Sequence, residues 1–215
     1  MRFLAILRVQ WQWSRVVTAP ATLLLAGLPF LILQGVTPAK LPVEVMYLVG
    51  TWTAVLPALA ALLGLLVALS AWAADRRGQH IHALSLPIAR WRYVLLRYQA
   101  GLALLAFPLL GFLLGTVLAV GTTALPAGLQ GYPWTLAARF ATAALLAFSL
   151  FFAILSGTPK TAGIILGILV ALIAVNVGVA FLAPGEWGGS DFFFLILGGP
   201  GPLSIFAGRW VLVDV

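Results

Sequence analysis

Few side chains in this chain could do chemistry, and their spacing limits what they can do. The two histidines form His80-Ile81-His82. On a helix, residues i and i+2 point well apart, so this pair could chelate only from extended backbone. No carboxylate follows at ligand spacing, so a solvated loop is expected and no metal site. Ser70, Ser85 and Ser149 lack an intramembrane His or Asp that could activate them as nucleophiles. Gly157-Thr158-Pro159-Lys160-Thr161 has the outline of the end of a phosphate-binding loop. Such a loop needs glycine directly before the lysine, and Pro159 removes an amide at that place. The five acidic residues, Glu44, Asp75, Glu186, Asp191 and Asp214, all sit outside the apolar stretches or at their edges. That leaves no buried relay for protons or ions. The absence of cysteine excludes disulfides, thiolate metal sites and cysteine nucleophiles. No catalytic residue and no cofactor is expected, and the chain does not read as an enzyme.

What positions these residues is a very apolar framework. Hydrophobic residues make up 63% of the chain and charged ones 8%, against about a quarter in soluble domains. The mean hydropathy is +1.12. Several uncharged stretches reach the roughly 20 residues that cross a bilayer core as a helix. The expected class is therefore an all-α polytopic membrane protein, one transmembrane domain over residues 1–215. Its net charge of +7 does not point to nucleic acid. The arginines track the ends of the apolar stretches, as membrane orientation requires.

Residues 1–15 read as an amphipathic interfacial helix, with Arg8, Gln12 and Arg15 on one side and Phe3, Leu4, Ile6, Leu7, Trp11 and Trp13 supplying apolar surface. The other reading makes them the basic flank of span one, which is expected to be retained rather than cleaved. Apolar spans are expected near 16–35, 46–73, 98–121, 134–156 and 162–183. Pro57 and Pro108 lie inside the second and third, and Arg139 lies one turn into the fourth. Residues 184–215 read as a broken sixth span or a re-entrant segment, because Gly198-Gly199-Pro200-Gly201-Pro202 interrupts any helix there. Six crossings are slightly preferred to five. Counting basic residues puts the N-terminus and the loop after span two in the cytoplasm, and the protein in the cell membrane, as in a bacterial inner membrane.

Gly111–Gly115 and Gly163–Gly167 are Gly-x-x-x-Gly pairs, a spacing that lets helices approach closely, and Asn176 is polar enough to join helices inside a membrane. Helix packing within the fold is the expected use of all five. The loop at 74–92 is unlike the rest. Asp75, Arg76 and Arg77 open it, Ile81, Leu84, Leu86 and Ile88 are interleaved with polar residues, Pro87 suits a helix start, and Arg90 and Arg92 lead into span three. A positive-inside loop accounts for the arginines but not for the interleaved apolar residues. A short helix held between two long spans is a handle that a cytoplasmic partner could push.

Asp75-Arg76-Arg77-Gly78 followed by Leu84-Ser85-Leu86-Pro87-Ile88-Ala89-Arg90 resembles the signature loop of the ABC-2 type transporter permeases. The basic N-terminal helix and a charged loop placed only after the second span are similar too, and the resemblance covers about residues 1–183. It implies a permease subunit of an ATP-driven exporter, paired with a second permease subunit and with ATP-binding cassette subunits. Residues 75–90 would be the coupling helix that receives the ATPase stroke. The lack of buried charge fits an amphiphilic or lipophilic cargo in contact with membrane lipid. The competing expectation is a non-transporting scaffold subunit of a larger membrane complex, in which the loop is only an orientation signal.

Overall fold

The computed structural model describes residues 2–53, 55–77, 89–157, 159–182, 203–207 and 210–214. They fall into two compact units, Met1–Phe152 with Arg209–Val215, and Ala153–Gly208. The protein is mostly helical. Four stretches are long and apolar enough to cross a membrane: Phe3–Ile32, Pro42–Ala73, Trp91–Thr122 and Pro133–Leu155.

Helix α1 runs unbroken over Arg2–Ile32, through Pro20 and Pro29. The residue pattern divides this stretch into an interfacial helix and a span, but the chain makes no turn between them. At 1.5 Å per residue, 31 residues extend for about 46 Å. A hydrocarbon core is only about 30 Å thick. The helix stops at a turn whose Gly35 has φ +82°, a conformation that glycine adopts without steric cost.

The second apolar stretch is interrupted. Helix α2 covers Pro42–Gly50, a 3-10 turn covers Thr51–Thr53, and helix α3 covers Val55–Arg77. Pro57 therefore lies in the first turn of α3, where its missing N–H leaves no bond unmade. The Thr51 hydroxyl donates to the Leu48 carbonyl at 2.7 Å beside the break. Helix α4 is Arg90–Thr122, helix α5 is Pro133–Leu155, and helix α6 is Pro159–Leu182.

In the first unit, glycines set how closely the helices approach. A Cβ added at Gly111 would meet the Thr22 carbonyl oxygen at 2.9 Å, and one at Gly115 would meet the Ala26 Cα at 3.0 Å. One at Gly101 would lie 3.2 Å from the Gln10 side chain. Contact positions thus rise together along both chains, so α1 and α4 are parallel. Helices α3 and α5 are parallel as well. Gly64 abuts Ala144, Ala147 and Phe148, and Trp72 packs on Phe152 with ring centroids 5.2 Å apart. Helix α4 runs antiparallel to α5, with Tyr98 stacked on Phe148 at 5.4 Å and Phe112 on Phe140 at 4.3 Å. These aromatic rings, with the buried alanines of α3 and α5, form the core.

Most of the 184–215 segment lies outside the described residues. Its last part forms strand β2, Val213–Asp214, antiparallel to strand β1, Gln130–Gly131, in the connector between α4 and α5. Trp210, Leu212 and Val213 are buried there. The Arg139 guanidinium lies 5.2 Å above the Trp210 ring. These residues thus cap the end of the bundle where α5 begins.

Candidate functional site

The helices that flank residues 78–88 are tied together one turn or two inside the bundle. Arg97, on α4, is 5% exposed. Its Nε donates to the Tyr93 hydroxyl at 2.8 Å, and its Nη1 donates to the Ala71 carbonyl of α3. The guanidinium also lies 5.2 Å from the Tyr93 ring and 5.5 Å from the Trp72 ring. Local geometry explains the arrangement. Tyr93 and Arg97 are i and i+4, so they share a face of α4. The planar guanidinium can reach across to a carbonyl while its faces rest on aromatic rings. A buried cation with hydrogen-bond partners and π-faces is a strong, oriented link. One left without partners would cost several kcal/mol.

The residues that the sequence singles out are distributed unevenly around this link. Asp75, Arg76 and Arg77 are the last residues of α3, and Arg90 is the first of α4. Gly78, Ile81, Leu84, Leu86 and Pro87 lie outside the described residues. Gly111 and Gly115 are brought against the backbone of α1, and Gly163 and Gly167 lie in α6. Asn176 lies in α6. Two hydroxyls considered as nucleophiles are engaged. Ser70 donates to the Val67 carbonyl and Ser149 to the Leu145 carbonyl, both at 2.8 Å, and Tyr98 is 2.8 Å from Ser149.

Sequence reasoning missed two features. One is the burial of Arg97, one residue before the expected start of span three; the Tyr93–Arg97 spacing was the signal. The other is a buried polar stripe on α1. Gln10, Ser14 and Thr18 are 3%, 0% and 1% exposed, and with Thr22 they recur every four residues. Thr18 donates to the Ser14 carbonyl at 3.0 Å and Thr22 to the Thr18 carbonyl at 2.7 Å, so these hydroxyls are satisfied by their own helix. Among the described residues, neither Oε1 nor Nε2 of Gln10 has a hydrogen-bond partner. The Trp72 indole N–H likewise has none among them.

No protein-family model matches the chain, and no curated protein or solved structure is similar to it.

Proposed function

We propose that this chain is the membrane-spanning permease subunit of an ATP-driven exporter of the ABC-2 type. An ATP-binding cassette subunit docks on the 74–92 segment from the cytoplasm, and an amphiphilic or lipophilic cargo passes beside a second permease subunit. The observation that carries this reading is the Arg97 link. A push on residues 78–88 does work on the bundle only if the two helices entering that segment move together. Joining the Ala71 carbonyl of α3 to the Tyr93 turn of α4 lets them do so. The resemblance of residues 75–90 to the permease signature loop supports the same assignment.

The reading includes a topology of five crossings. Helix α5 leads away from the β1 end of the bundle, and β2 returns to that end. Helix α6, largely apolar and 24 residues long, would be the fifth crossing. The basic residues put the N-terminus and the 74–92 segment in the cytoplasm, and the β1–β2 end outside.

The absence of native cysteine makes the test direct. A single cysteine introduced at Ile81 or Leu84, crosslinked in native membranes, is expected to capture a soluble nucleotide-binding subunit. Gentle purification is expected to recover ATPase activity with the chain. Crosslinks confined to lipid or to other membrane proteins, with no ATPase recovered, would establish the scaffold role instead.

A further inference from the structure

Along the arginine-bearing end of the bundle, α1 and α4 leave an open groove between them. Its volume is about 440 Å³, and it is lined by Leu4, Leu7, Arg8, Trp11, Ala103, Leu104 and Phe107. Residues 4, 7, 8 and 11 share one face of α1, as helical spacing requires. Trp11 and Phe107 close one end, with ring centroids 5.9 Å apart. Leu4 and Phe107 are 67% and 53% exposed, so the groove opens outward and not into the core.

Two facts decide what fits it. The first is charge. Arg8 lines the groove, and Arg15 follows seven residues later on the same exposed face of α1. Neither α1 nor α4 contains a single acidic residue, so neither wall of the groove neutralises these cations. The second is depth. Helix α1 exceeds the hydrocarbon thickness by roughly 15 Å, or about ten residues. With the Ile32 end at one face of the core, the opposite face falls near Trp11 to Arg15. The groove therefore starts among the headgroups and runs into the acyl region. Tryptophan and arginine both suit that boundary.

We infer that the α1–α4 groove is a binding site for one anionic phospholipid, with its phosphate held by Arg8 and Arg15 and an acyl chain laid along the apolar wall formed by Leu4, Leu7 and Leu104. Basic pockets between membrane helices select anionic headgroups by charge, while the apolar walls hold the chain. A zwitterionic lipid offers the same chain but carries an ammonium toward the arginines. The inference rests on the membrane-spanning reading alone and not on transport, so a chain that captures no ATPase in the crosslinking test can still pass the one below.

The test uses the full chain reconstituted in phosphatidylcholine vesicles containing a trace of spin-labelled phosphatidylglycerol or spin-labelled phosphatidylcholine. The motionally restricted fraction of each label gives their relative association. The wild type is expected to prefer the glycerol lipid. Arg8→Gln with Arg15→Gln is expected to weaken that preference, at about fivefold per charge removed. Ala103→Trp, which keeps both arginines and adds bulk to the groove lining, is expected to reduce it as well. Lys40→Gln, beyond the other end of α1, is expected to leave it unchanged. A wild type without preference, or a double variant that keeps it, overturns the proposal. So does a preference that survives the tryptophan, or one that falls equally with Lys40→Gln, since either assigns it to general surface charge.

Discussion

Replacing Gly115 with alanine tests the parallel packing of α1 on α4 at its tightest point. The new methyl would overlap the Ala26 carbonyl oxygen and lie 2.9 Å from the carbonyl carbon and 3.0 Å from the Cα. Carbon atoms in contact sit about 3.5–4.0 Å apart, so the shortfall at two backbone carbons is at least about half an ångström. These are helix backbone atoms and cannot rotate away like the tip of a side chain. The helices must part, and a gap of about 0.5–1 Å forfeits a quarter to a half of each dispersion contact along the seam. Overpacking of this kind costs about 1–3 kcal/mol, and Gly115→Ala is expected to fall toward the upper end. Gly27→Ala is the internal control. It lies on α1 beside Ala26, but an added Cβ there meets nothing within 4 Å. Better helix propensity should make it neutral or stabilising by up to about 1 kcal/mol. Denaturation by SDS in mixed micelles, followed by tryptophan fluorescence, measures both. Equal stability of Gly115→Ala and the wild type would refute this packing of α1 on α4.

Two further substitutions test the buried polar groups. Gln10→Leu removes an amide with neither atom hydrogen-bonded and should stabilise the bundle by about 1–3 kcal/mol in the same assay. A loss of stability would mean that the amide has a partner in the native assembly. Arg97→Lys keeps the charge but lacks the planar fork that reaches both Tyr93 and Ala71. It should cost about 1.5–3 kcal/mol and be less stable than Arg97→Met, which removes the buried charge. The opposite order would show that Arg97 does not clamp the two helices.

How much was legible in the residues follows from the range over which each effect acts. Apolar stretches, their breaks and the clustering of arginines at their ends are local properties of composition, so the helices that could cross a membrane stood out. Helix boundaries were less legible. The basic residues of α1 suggested a separate interfacial helix, but a helix needs a breaker to stop, and no residue between Arg8 and Val16 is one. Pro57 does lie inside the second apolar stretch, but the break that puts it in the first turn of α3, where a proline is best tolerated, was not legible.

By itself the sequence determined the class of the chain: mostly helical, with several stretches long and apolar enough to cross a membrane. Tertiary structure alone decided which polar groups are interior. Arg8 and Arg97 are the same residue type in similar local surroundings, yet one faces outward and the other is sealed between Trp72 and Tyr93. The two Gly-x-x-x-Gly pairs read alike, and the fold sets Gly111 and Gly115 against the backbone of α1. The pairing of β2 with β1, more than 80 residues apart, left no local trace. Burial and partner choice depend on which helix lies opposite, and that depends on every other helix in the bundle.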